Sequence, residues 1–418
     1  MKRCIVWLIM TIATLTAAAQ QHTSLLGSWS GKLKAGLTPL SLVLHLEQKG
    51  DSIQTSLDSP DQGVKGIAAE CEYLSDDSVA VKMTSLNATL RLRLTDGKLC
   101  GKFTQRGFPF RIELTRGMPE VKRPQRPQPP YPYTTEEVTF RNPSDSATLA
   151  GTLTYPVDYN PKGRRKPPVV LLVSGSGQQN RDEELFGHAP FNVLADYLAR
   201  KGIATLRYDD RATGKSQGGD VAHATTADFM RDAAAGIAFL RQSKDFSSVG
   251  CIGHSEGGTI AFMLGARKKV DFIITLAAPG VKGDTLLAAQ VNRIRALSLQ
   301  RANMTAEKYR QQSTVQENAW LRWFTDYDPS DDIRRTGCPV FALNGDHDCQ
   351  VISKLNLPAI ERMLPQSTKH RIKEYPQLNH LFQHCTLGLP SEYGQIEETI
   401  APEVLSDIAD WIDSLHDK

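Results

Sequence analysis

VGCIGHSEGGTIAFMLGAR, residues 249–267, passes from an apolar segment through Gly253-His254-Ser255-Glu256-Gly257 into small residues at helical spacing. The apolar start reads as a buried strand, and Thr259-Ile260-Ala261 behind the glycines reads as a helix. At a strand-to-helix corner, a Gly-x-Ser-x-Gly turn lets the serine take a strained conformation while its glycine neighbours permit close packing. An ordinary glycine-rich bend has the same local pattern, so the surrounding chain has to decide between them.

Around this corner, strands alternate with helices. Runs 137–141 and 148–155 read as extended, and Pro168 to Val173 as a strand buried on both faces. Further strands are expected at Ile203 to Tyr208, Val270 to Leu276, Pro339 to Asn344 and His370 to Tyr375. Between them lie helices. One carries Phe191, Leu194 and Leu198 on a face and ends at Lys201-Gly202; others span about 226–242 and 258–267, and 402–415 closes the chain. Such alternation requires a doubly wound, mostly parallel sheet with helices on both faces, an α/β domain over residues 135–418. Residues 281–335 interrupt it with a helical pattern and are expected to cap the C-terminal ends of the strands, where open α/β sheets form their sites. Trp320, Trp323, Phe324 and Tyr327 either line that pocket or pack the insert's own core.

Residues 21–116 have a different period. Leu40, Leu42, Leu44 and Leu46 alternate with polar or β-branched neighbours, as do Leu90, Leu92 and Leu94, and Asp96-Gly97 marks a tight turn. This is a small all-β antiparallel domain, barrel or sandwich. Residues 117–134 hold six prolines and read as an extended linker marking the domain boundary. Residues 1–20 combine a charged start, a short apolar run and a small-residue exit, the pattern of a bacterial-type signal peptide, so the mature chain is expected to be periplasmic or secreted.

Lysine plus arginine number 49 against 46 acids, a net charge of +3, which supplies no field for nucleic acid or an anionic membrane. No stable membrane insertion is expected and the partner is a small molecule. No cysteine spacing suggests zinc, and no metal or organic cofactor is expected. Gly214-Lys215-Ser216 ends like a phosphate-binding loop, but Asp209 stands where that loop needs glycine, and its charge would repel phosphate. Cys71 and Cys100 both lie in the β domain and are a candidate pair.

A serine hydroxyl becomes a nucleophile when a base takes its proton and a third group orients the base. Downstream of Ser255, one strand ends in Gly345-Asp346-His347-Asp348-Cys349-Gln350-Val351, and the next runs into Pro376-Gln377-Leu378-Asn379-His380-Leu381-Phe382. In this chain order the three segments resemble the α/β-hydrolase family over residues 135–418. The resemblance implies that Ser255 is the nucleophile, His380 the general base and then acid, and Asp348 the orienting carboxylate. Asp346 is the alternative acid, His347 and His384 are the alternative bases, and His254 is expected to project away as a bystander. The oxyanion donors implied are the backbone N–H of Glu256 and, from Ser174-Gly175-Ser176-Gly177, that of Ser176 with Gly177 next. In the family these two catalytic loops meet, so a disulfide between Cys349 and Cys385 is expected.

SGSGQQNRDE (174–183), YDDRATGKS (208–216) and GHSEGG are similar to a bacterial esterase subgroup of that family, some members of which carry an extra N-terminal domain. This implies a serine carboxylesterase acting on short-chain acyl esters, acylated carbohydrates among them. A serine peptidase or amidase of the same fold, and a binding protein with a vestigial triad, are the rivals. Arg181, Asp182, Asp209 and Arg211 are expected to form a structural charge network. Ala212 stands where that subgroup has glycine, which implies a differently bent loop.

Overall fold

The computed structural model describes residues 24–34, 39–50, 52–62, 64–118 and 121–416, and the expected signal segment lies outside them. The chain divides into two compact units, residues 1–120 and 121–418.

The first unit is a closed barrel of eight antiparallel strands paired in chain order: β1 (Gly27–Leu33), β2 (Leu40–Lys49), β3 (Ser52–Ser59), β4 (Val64–Leu74), β5 (Ser78–Met83), β6 (Ala88–Thr95), β7 (Lys98–Gln105) and β8 (Phe108–Arg116). β8 returns to β1 through Trp29↔Arg116 and Ser30↔Thr115, which removes the exposed edges an open sheet would leave. The period-two pattern sends Trp29, Leu44, Leu46, Leu57, Leu90 and Leu114 into one core. Asp96 and Gly97 both adopt positive φ, 50° and 77°, as a two-residue hairpin turn between β6 and β7 requires. Cys71 on β4 and Cys100 on β7 are separated by β5 and β6, and no disulfide joins them.

The second unit holds β9 (Thr135–Arg141), β10 (Thr148–Thr154), β11 (Val169–Val173), β12 (Ala204–Tyr208), β13 (Val249–His254), β14 (Ile273–Leu276), β15 (Val340–Gly345) and β16 (Arg371–Tyr375). Their order across the sheet is β16-β15-β14-β13-β11-β12-β10-β9. Strands β11 to β16 run parallel, and β10 is antiparallel to both its neighbours, β9 and β12. β11 and β13 are wholly buried, which explains their unbroken apolar runs.

Helices cover both faces. α1 (Pro190–Arg200) packs with the C-terminal α11 (Pro402–Ser414) on one side, through Phe191, Leu194, Leu405 and Ile408. α2 (Thr226–Ser243), α3 (Glu256–Ala266) and α9 (Ser353–Met363) pack on the other, through Ile237, Leu240, Ile260 and Leu357. The insert folds as α4 (Gly283–Leu297), α5 (Ala306–Arg310), α6 (Ser313–Glu317), α7 (Ala319–Asp326) and α8 (Ser330–Arg335), and a short α10 (Pro390–Tyr393) follows β16. Its aromatic residues divide: Trp320 and Phe324 stack and face the site cavity, while Trp323 stacks on Tyr327, whose hydroxyl donates to Asp332.

Candidate active site

β13 ends at His254 and α3 begins at Glu256, so Ser255 alone turns the corner, with φ 53° and ψ −116°. A non-glycine residue there is strained by about 1–3 kcal/mol, and packing must hold it. The flanking glycines show how. A Cβ at Gly253 would lie 1.9 Å from the Gly257 carbonyl oxygen, and one at Gly257 would lie 2.1 Å from that of Val173. Side chains at either position would push the helix off the sheet and relax the turn.

The acid and histidine loops follow β15 and β16, adjacent strands of the sheet. Asp348 Oδ2 accepts from His380 Nδ1 at 2.7 Å, while its Oδ1 accepts from the backbone N–H groups of Gln350 and Val351 at 2.7 and 2.9 Å. Asp348 is 1% and His380 4% exposed, so their bond is shielded from water. Asp346 turns elsewhere, accepting from Gln377 N–H and from its neighbour His347. His384 pairs with Glu398 at the surface. Asn379 holds the histidine loop, its Oδ1 accepting from the backbones of Leu381 and Gln383.

His254 is not the bystander expected. Its Nδ1 bonds Glu183 Oε1 at 2.8 Å, and its Nε2 donates to the carbonyl oxygen of His380 at 3.0 Å. Glu183 Oε1 also accepts from Gly175 N–H at 2.7 Å. One buried histidine–carboxylate pair thus ties the elbow to the histidine loop and to the turn after β11. Burial pulls the His254 pKa down, but the Glu183 carboxylate and the two hydrogen bonds outweigh it, and the net shift is upward. A histidine donating from both nitrogens is an imidazolium, so the geometry and the shift agree. Sequence spacing could not find this pair, since 71 residues separate its members.

Ser255, His254, His380 and Ser176 line a cavity of about 290 Å³, walled by Phe186, Tyr393, Leu286, Trp320 and Phe324. Gly175 N–H is taken by Glu183; Ser176, the next residue of that turn, lines the cavity, and Gly177 follows it with φ 90°. The N–H of Glu256 begins α3, where helical N–H groups lack intrahelical partners and the dipole is positive. Glu256 has a second role that its motif did not signal. Its buried Oε1 accepts from Thr226 Oγ1 on α2 at 2.6 Å and Trp320 Nε1 on α7 at 2.8 Å, and Ser176 also bonds the carboxylate. Burial raises its pKa despite those donors. Nearby Asp210, buried and accepting from Gln179 N–H and Ser174 Oγ, is pushed up to about 8, chiefly by desolvation.

The charge network is structural. Arg181 bridges Asp209 and Glu137, Arg207 pairs with Asp182, and Arg211, 1% exposed, bonds Asp232 at 2.7 Å and Asp145 at 2.7 Å. Ala212 takes φ 53°, so the loop makes the left-handed bend that glycine would favour despite the methyl group. The Cys349–Cys385 disulfide is not formed. Cys349 Sγ donates to Gly388 O and Cys385 Sγ to Gln377 O, and burial pushes both thiols up to about 12, which leaves almost no reactive thiolate near neutral pH. Among the described residues no cluster of three His, Cys, Asp or Glu has metal-holding geometry, and no helix is long and apolar enough to cross a membrane.

Residues 188–384 match the family model described as serine aminopeptidase, S33. The chain is 26% identical over 267 residues to esterase EstD of Thermotoga maritima, a match spanning 60% of this chain and 63% of that protein, less than two thirds of its length. Among solved structures, the Pyrococcus furiosus esterase Pf2001 superposes with a TM-score of 0.45 at 15% identity, covering 71% of this chain and 99% of that one. Est1E of Butyrivibrio proteoclasticus, with ferulic acid bound, gives 0.43 at 16%, covering 65% and 95%.

Proposed function

We propose, from the premise that the second unit is an α/β-hydrolase domain of the serine-hydrolase class, that this protein hydrolyses short-chain acyl esters through an acyl-enzyme on Ser255. His380, its Nδ1–H held by Asp348, has the lone pair of Nε2 to receive the serine proton. As Ser255 Oγ bonds the ester carbonyl carbon, negative charge moves to the carbonyl oxygen, and the N–H groups of Glu256 and Ser176 stabilise it. The C–O bond to the alcohol then breaks as His380 returns the proton to that oxygen. Water repeats the sequence on the acyl-enzyme, and His380 again serves as base and then acid.

The observation that carries this reading is the 2.7 Å His380–Asp348 bond beside Ser255 in one cavity. Ser255→Ala should lower p-nitrophenyl acetate turnover by about 10⁶-fold while the protein stays folded; activity within tenfold of wild type would sink it. The family model's description favours a second reading, an aminopeptidase or amidase. Cleavage of aminoacyl p-nitroanilides with simple esters untouched would move the assignment there, and failure of a fluorophosphonate to label Ser255 would favour a binding protein. A panel of esters that includes acetylated and feruloylated sugars identifies the alcohol.

We further propose that residues 1–20 direct export and are removed. N-terminal sequencing of protein recovered from a periplasmic or culture fraction should begin near residue 20 or 21. An intact Met1 in the cytoplasm would overturn this.

A further inference from the structure

The proline-rich segment belongs to the second unit from residue 121 onward, and its exposure alternates. Val121, Arg123, Gln125 and Pro127 are half-buried, while Lys122, Pro124, Arg126 and Gln128 are exposed. A spacer is solvated on all sides; here the chain turns at residues 123–126, where Arg126 N–H donates to Arg123 O at 3.0 Å, and alternate side chains lie against a surface. Gln125 bonds the backbone of a C-terminal loop, its Nε2 donating to Ile400 O at 2.7 Å and its Oε1 accepting from Thr399 N–H at 2.5 Å.

Arg123 does more. Its guanidinium donates to Phe186 O at 3.1 Å and Gly187 O at 3.2 Å on one loop, and to Gly394 O at 2.8 Å and Ile396 O at 2.7 Å on another. Only arginine presents enough donors in a fixed fork to reach four carbonyls at once. On the first loop, both residues bound lie in the left-handed region, Phe186 at φ 53° and Gly187 at φ 80°. For Phe186 that conformation is strained and must be held by its surroundings. The second loop begins directly after Tyr393. The rings of Phe186 and Tyr393 meet edge to face at 5.4 Å, and both line the cavity that contains Ser255. Tyr393 Oη also accepts from Gln350 Nε2 at 3.2 Å, two residues beyond Asp348.

We propose that Arg123 is a positioning residue: by fastening these two loops it sets the Phe186–Tyr393 wall of the cavity and so governs how firmly the ester is held. This rests on the cavity being the ester site proposed above. In the full-length protein, Arg123→Ala should raise KM for p-nitrophenyl butyrate about tenfold, with kcat per titrated serine within twofold of wild type. Arg123→Lys, which cannot span both loops, should resemble Arg123→Ala. Millimolar guanidinium should partly restore KM in the alanine variant. Because Arg123 acts through the wall, its effect should shrink below twofold in a Phe186→Ala background. Unchanged KM, a fall only in the number of titratable sites, or full additivity with Phe186→Ala would overturn the proposal. Should the wild type turn over no ester, the esterase reading fails by itself. The strap is then tested by the rate at which a bulky fluorophosphonate labels Ser255, expected to differ about tenfold between wild type and Arg123→Ala.

Discussion

His380 and His254 have their ring centres 4.8 Å apart, both are buried, and each is joined to a carboxylate through Nδ1. They differ at Nε2. His254 spends it on the carbonyl oxygen of His380, whereas His380 Nε2 has no hydrogen-bond partner among the described residues. A base needs an unoccupied lone pair, so the general-base role proposed above falls to His380, whereas a histidine with both nitrogens committed is suited to holding geometry. Proximity to Ser255 in sequence is therefore a poor guide, since the histidine next to it has both ring nitrogens in hydrogen bonds.

Breaking the first pair should have the larger effect. Asp348→Asn keeps the shape but disfavours the Nδ1–H tautomer, and kcat for p-nitrophenyl acetate is expected to fall about 10⁴-fold. A loss below tenfold would mean that Asp348 does not orient the base. Glu183→Ala removes the acceptor of both His254 and Gly175 N–H, and displacement of the histidine loop and the oxyanion turn should cost about 10²-fold. Glu183→Gln retains an acceptor for Gly175 and should lose clearly less; equal losses in the two variants would assign the effect to charge rather than position.

The second pair also has a pH signature. Because the folded pKa of His254 lies above its ordinary value of 6.5, its stabilising contribution is complete below that pH and is lost as pH rises through the folded value. Urea midpoints for wild type and His254→Gln should therefore converge as pH rises above 6.5, and divergence would show that His254 is not the charged partner. Asp210, raised from 3.8 to about 8, also lowers stability across that range, but equally in both proteins. The smallest effect is expected from Trp320→Phe, which keeps the aromatic wall but removes the donor to Glu256: about 1 kcal/mol of stability by thermal unfolding, and activity changed only a few-fold.

Much of this architecture was legible because it rests on local pattern. Alternating leucines in residues 40–46 and 90–94 specify strands of an antiparallel β domain, though not its closure into a barrel, and the buried runs at 169–173 and 249–254 specify interior strands of a parallel sheet. Other features were not legible, for physical reasons. Nothing in the sequence marks Arg123 within the proline-rich segment, because its four acceptors are backbone carbonyls, which no residue type advertises. Glu256 was read for its N–H alone, since the Trp320 and Thr226 that bond its carboxylate lie 64 and 30 residues away.

What the sequence determined by itself is a strand-turn-helix with serine at the turn, and two later loops, at 345–351 and 376–382, each following a strand. Periodicity sets the strands, and the resemblance to the α/β-hydrolase family is what implies that the two loops carry the acid and the histidine. Tertiary structure alone decided which groups share a proton or a hydrogen bond: Asp348 rather than Asp346 on His380, His254 as a clamp, and a strap where a spacer was expected. Hydrogen bonding depends on distances of about 3 Å between atoms far apart in the chain, and only packing of the sheet, helices and loops brings those atoms together.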